Sequence, residues 1–131
     1  MAEKANFLIV SSRLEIKREL LQILGELPLN VYATGSVEQA NDALEKNDIY
    51  AVLCDERISD GTYQDVLALT IERVPKIQFI LLMTIGGPEE HREARHLGVS
   101  EVVRPRFEPT DIELALIHVI RGQAAAAHAA A

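Results

Sequence analysis

The sequence predicts an α/β domain in which a parallel sheet is covered by helices on both faces. Three observations lead there. Short apolar runs alternate with longer stretches of helical periodicity from one end of the chain to the other. The runs "FLIV" (7–10), "YAVLCD" (50–55) and "IQFILLMT" (77–84) are continuous in hydrophobicity rather than alternating, so both faces of each strand should be buried. And 131 residues with 48% hydrophobic and 25% charged content suit one compact domain with a real core.

Each element follows from local pattern. After "FLIV", the residues Leu14, Leu20, Leu21, Ile23, Leu24 and Leu27 recur mostly at three- and four-residue spacing, the stripe of an amphipathic helix that ends near Gly25 to Pro28. "LNVYAT" (29–34) is the second strand. Ser36 then stands three residues before Gln39, a weak capping-box pattern that opens the helix "VEQANDALEKN". "YAVLCD" leads through the loop "ERISDG" into a helix over "TYQDVLALTIERV" (62–74), closed by Pro75. "IQFILLMT" is the strongest strand. The helix "PEEHREARHLG" (88–98) has Pro88 in its first turn and Gly98 past its end. A brief strand "EVV" and a final helix "PTDIELALIHVIRG" complete five strands and five helices. Residues 1–122 form a single domain, and the Ala-rich stretch 123–131 reads as a helix extension, a linker or a cloning remnant.

Composition excludes several classes of function. With 20 acidic against 13 basic residues the formal charge is −7, which disfavours direct nucleic-acid binding, since phosphate contacts draw on Lys and Arg. No apolar run is long enough to cross a membrane, and "MAEKAN" carries no cleavage-site pattern. The single cysteine, Cys54, cannot form an internal disulfide and reads as a small buried hydrophobe in a reducing compartment, so a cytoplasmic location is expected.

A parallel α/β sheet binds ligands at the carboxyl ends of its strands, near the point where strand order reverses. Those ends carry Ser11 and Ser12, Asp55, Thr84 and Arg104. Other candidates have simpler readings. Ser11 and Ser12 have no nearby histidine and no nucleophile-elbow context, so Ser12 reads as a helix cap. "GGP" (86–88) opens a helix whose Glu89 and Glu90 repel anions, and reads as a turn. His91 and His96 lie five apart, poorly placed to share a metal, and His118 and His128 stand alone.

The elements "LIVSS", "VLCDERISDG", "ILLMT" and "VVRP", in this order and at this spacing, resemble the receiver domains of two-component response regulators over Phe7 to about Ile120. The resemblance implies a (βα)5 doubly wound, flavodoxin-like three-layer sandwich with sheet order 2-1-3-4-5. It places Asp55 at the phosphoacceptor position, Thr84 at the switch hydroxyl and Arg104, before Pro105, at a position usually held by lysine, with one residue missing from the preceding turn. "DERISDG" is similar to the family's D-x-R-x-P-D-G, with Ser59 in place of proline.

The departures concern chemistry. In the family a pair of acids on the first strand holds a divalent metal; here Ser11 and Ser12 stand there, and two neutral hydroxyls cannot replace two anions. Glu56 and Glu15 are the nearest other acids, but Glu56 follows Asp55 directly and so points to the opposite face of a regular strand. Arg57 or Arg104 could supply positive charge in place of a metal, although a guanidinium lacks the compact ammonium of lysine. The fifth strand, Glu101, Val102, Val103, has no aromatic switch residue, and Ile85 is bulky where a small residue is usual.

The resemblance therefore implies a signalling module, not an enzyme, with no cofactor, weak or absent Mg2+ binding and Mg2+-dependent phosphorylation weakened or lost. Its partners would be a histidine kinase or an output domain, or a second copy in a homodimer, met through the face of helix 4, strand 5 and helix 5, with no membrane partner. The alternatives are a working receiver phosphorylated on Asp55 by a partner histidine kinase and, from another class, a flavodoxin-like enzyme or ligand binder.

Overall fold

The computed structural model describes residues 4–73, 75–104 and 108–130, with side chains through Arg121. The elements run β1 (Ala5–Val10), α1 (Leu14–Gly25), β2 (Leu29–Thr34), α2 (Val37–Lys46), β3 (Ile49–Asp55), β4 (Arg57–Ile58), β5 (Gly61–Thr62), α3 (Tyr63–Thr70), β6 (Gln78–Leu82), α4 (Pro88–Leu97), β7 (Glu101–Val103) and α5 (Pro109–Ala130). The main sheet has the order β2-β1-β3-β6-β7, every neighbouring pair parallel. With the small antiparallel pair β4-β5 set aside, this is the expected 2-1-3-4-5.

Continuous hydrophobicity in the central strands corresponds to burial on both faces. Along β1, Leu8 and Val10 join a core with Ala40, Val66, Leu67 and Ala94 of α2, α3 and α4. Phe7 and Ile9 face the other way, packing with Ile16, Leu20 and Leu24 of α1 and Ile112, Leu116 and Val119 of α5. Strand β3 divides likewise, Val52 and Cys54 on the first side and Ala51 and Leu53 on the second. The result is three layers, two helices on one face of the sheet and three on the other.

Helix ends follow the capping chemistry, with two differences from expectation. The Ser36 hydroxyl accepts from the Gln39 N–H at 3.0 Å, as predicted, while the Gln39 side chain turns back to Gly35 N–H at 2.8 Å rather than to the cap residue itself. The complete capping box lies at α3, where the Thr62 hydroxyl accepts from the first-turn backbone and Asp65 accepts from Thr62 N–H. Gly98 ends α4 in the left-handed region at φ 119°, where its N–H reaches the carbonyls of Ala94 and Arg95.

The helix expected over 62–74 is shorter. It ends at Thr70, whose hydroxyl bonds back to Leu67 O at 2.8 Å, and a turn follows. Where "ERISDG" is expected as a plain loop and Thr62 as the start of the helix, the pairs Arg57–Thr62 and Ile58–Gly61 form a hairpin that starts and stops within six residues. The final helix continues through the Ala-rich stretch to Ala130. Among the described residues no helix is long and apolar enough to cross a membrane.

Candidate functional site

The carboxyl ends of β1, β3 and β6 lie side by side, because Val10 pairs with Cys54, Cys54 with Leu81 and Asp55 with Leu82. The residues that follow these strands meet in one place. At its centre Asp55 is 1% exposed, and Ser11 is fully buried beside it. The Ser11 hydroxyl donates to Asp55 Oδ2 at 2.5 Å and accepts from the Arg13 N–H at 3.1 Å, a local turn that starts α1.

Positive charge comes from Arg13. Its Nη2 donates to Asp55 Oδ1 at 2.6 Å and its Nε to Oδ2 at 3.1 Å, a bidentate fork-on-carboxylate pair. The same Nη2 stands 3.3 Å from the Thr84 hydroxyl. The guanidinium pKa is pushed up, chiefly by the hydrogen bond to Asp55. The Arg13 side chain remains 39% exposed while that of Asp55 is 2% exposed, so the ion pair closes the carboxylate from above.

The sequence points to Arg57 or Arg104 for this charge; the structure supplies it from Arg13, in the turn between β1 and α1. Arg104 is engaged elsewhere: its Nη1 donates to Gly86 O at 2.6 Å and its Nη2 lies 3.4 Å from Met83 Sδ, so it ties down the loop between β6 and α4. Its fork explains how one side chain does this, since a guanidinium presents several donors at fixed angles and two of its nitrogens meet two loop atoms at once. Arg57 is exposed and lines the mouth of the site.

Ser12 does not cap α1. The N-cap is Arg13 and makes no side-chain cap bond. The Ser12 hydroxyl instead donates to Gly35 O and accepts from Ser59 N–H, both at 2.8 Å, joining the loops after β1, β2 and β3. Its oxygen is thereby committed to backbone on either side.

Glu56 turns away from Asp55. The strand ends at Asp55, and the Glu56 carboxylate accepts from the N–H groups of Thr84, Ile85 at 2.6 Å and Gly86 at 3.0 Å. A cavity of about 160 Å³ remains, lined by Arg13, Asp55, Glu56, Arg57, Thr84 and Ile85. Ile85 is 74% exposed at its rim. Glu15 is exposed in the first turn of α1 and is not part of this lining.

The donor set does not fit a magnesium ion. Magnesium takes oxygen ligands in an octahedron and is held through carboxylates. Here both oxygens of Asp55 are bonded to a guanidinium, and Glu56 is held by three backbone donors. Among the described residues no group of three or more His, Cys, Asp or Glu side chains is placed to share a metal.

The doubly wound sheet with this strand order is the fold of signal receiver domains, and comparison with solved structures shows the same. The receiver domain of an HD domain-containing protein from Pseudomonas fluorescens Pf-5 superposes with a TM-score of 0.85 at 20% identity, over 94% of this chain and 99% of that one. The non-phosphorylated HemR receiver domain from Leptospira biflexa gives 0.80 at 21% identity, over 89% and 94%. Chemotaxis response regulator CheY4 of Vibrio cholerae gives 0.81 at 17% identity, over 89% and 99%. No family model and no curated sequence matches the chain.

Proposed function

We infer that the chain is a receiver-type signalling module that acts by protein–protein contact, with Mg2+-dependent phosphorylation of Asp55 weakened or lost. The bidentate pair between Arg13 and Asp55 carries this reading. Phosphoryl transfer to a carboxylate needs one oxygen free to attack in line, with metal and cation neutralising the phosphoryl oxygens. Both Asp55 oxygens are occupied, Ser11 and Ser12 bring no charge, and the nearest cation neutralises the acceptor itself rather than the incoming group.

The partner surface in this reading is the face of α4, β7 and α5. Strand β7 is a three-residue edge, and Glu101 on it lies 3.4 Å from Arg95 Nη2 of α4 and 3.4 Å from His118 Nδ1 of α5. With Leu97 exposed on α4 and Leu114 on α5, these elements offer both polar and apolar groups to a protein partner such as a histidine kinase, an output domain or a second copy. Such partners place the module in the cytoplasm, and the reading assigns it no enzymatic step of its own.

One observation favours a second reading, in which a kinase phosphorylates Asp55. Because the Arg13 side chain is 39% exposed, a bound partner could draw it outward and free the carboxylate. Incubation with acetyl phosphate and Mg2+, followed by intact mass, tests the first reading. Unchanged mass supports it; a phosphoryl gain that disappears in Asp55→Asn contradicts it. A gain seen only with a kinase present supports the second.

A further inference from the structure

Three consecutive backbone N–H groups of the loop between β6 and α4, those of Thr84, Ile85 and Gly86, point at one side chain from outside the loop, the carboxylate of Glu56. Oε1 accepts from the first two and Oε2 from the third. Successive backbone donors that converge in this way form a concave anion cradle. These groups precede the first turn of α4, whose N-cap is Gly87, so the cradle belongs to the loop and not to the helix end.

The loop is shaped for this approach. A Cβ added to Gly86 would lie 2.9 Å from Glu90 Cβ, 3.0 Å from Met83 Sδ and 3.2 Å from Glu56 Oε2, so a side chain here would collide with Glu90 at the start of α4 and crowd the carboxylate as well. From the other side Arg104 Nη1 fixes Gly86 O at 2.6 Å. Arg13 and Arg57 line the same cavity as Glu56. Convergent N–H donors on a cavity also lined by guanidinium groups suit an oxyanion, carboxylate or phosphate alike.

We propose that the loop between β6 and α4 is an oxyanion receptor whose resident ligand is Glu56, so that the chain carries its own anion in place of an external one. The tethered carboxylate holds the loop and the start of α4 in their anion-bound arrangement and keeps free phosphate out. A short tether acts as a ligand at millimolar or higher effective concentration, which a dilute free anion cannot match. The inference stands whether or not Asp55 accepts a phosphoryl group.

The test is a titration with inorganic phosphate followed by amide NMR, with chloride at matched ionic strength as the control. In the unmodified chain the amides of Thr84, Ile85 and Gly86 should not respond up to about 10 mM phosphate. In Glu56→Ala the same three amides should shift saturably, with an affinity at least about tenfold above that of the unmodified chain. Glu56→Gln, which keeps size but loses the charge and sets an amide nitrogen against a backbone N–H donor of the cradle, serves if the alanine variant loses its fold, and should also bind. A saturable response of equal strength in the unmodified chain would overturn the proposal, as would a folded Glu56 variant whose loop amides ignore phosphate or respond equally to chloride.

Discussion

Arg13, in the turn after β1, and Asp55, at the end of the neighbouring β3, meet through two hydrogen bonds, Nη2 to Oδ1 at 2.6 Å and Nε to Oδ2 at 3.1 Å. The contact gives a nearly buried carboxylate its counter-ion without a metal.

Removing the cation should therefore cost stability. Arg13→Ala leaves Asp55 with Ser11 as its remaining side-chain partner, and about 1–3 kcal/mol is expected, the penalty for a charged group deprived of its hydrogen bonds. Arg13→Lys should lose less, because it keeps the charge but not the fork. Urea denaturation of the two variants checks the order; equal stability of Arg13→Ala and the parent would show the pair to be a surface contact only.

Cys54 should be chemically silent while the chain is folded. Burial first, then the neighbouring Asp55 charge, raises its thiol pKa well above the ordinary value, so thiolate is absent at neutral and mildly alkaline pH. Ellman's reagent should register no thiol in the native protein at pH 8 and one after denaturation. Rapid native reaction would show that β3 opens.

Asp60 predicts how α2 responds to acid. Its carboxylate accepts from the N–H groups of Val37 at 2.6 Å and Glu38 at 3.2 Å, and the first of these bonds is the main cause of its lowered pKa. A carboxyl group whose pKa is lowered by folding stabilises the fold above its unfolded pKa, and this contribution is lost as the pH falls through the lowered value. The parent should thus exceed Asp60→Asn in stability at neutral pH, and the gap should close as the pH falls below the ordinary aspartate value of about 4 and through the lowered one. Because the group is fully exposed, salt should narrow the gap as well. A gap independent of pH would assign the effect to packing.

Most of the fold was legible in the sequence because its signals are local and mutually consistent. Continuous apolar runs marked β1, β3 and β6, helical spacing marked α1 and α5, and Pro88 and Gly98 bracketed α4. The strand-end rule brought Ser11, Asp55 and Thr84 together correctly. What it could not supply was side-chain reach. Arg104 sits where a cation was expected, yet its guanidinium bonds to Gly86 O, while Arg13 folds back over Asp55 from a turn that no motif marks. Ser12 illustrates the same limit, since its partners at Gly35 and Ser59 lie 23 and 47 residues away in sequence. Glu56 escaped for a different reason: β3 ends at Asp55, so the alternation used to set Glu56 aside no longer applies to it.

The central claim is that Arg13, and not a metal ion, balances the charge of Asp55. A Mg2+ titration observed by amide NMR tests it most directly, read at residues 10–13, 54–57 and 84–86. The account predicts no localised, saturable shift at millimolar Mg2+ in the parent chain, with the Arg13 side-chain Nε resonance unchanged. A saturable response centred on Asp55, with loss of the Arg13 signal from its bonded position, would contradict it.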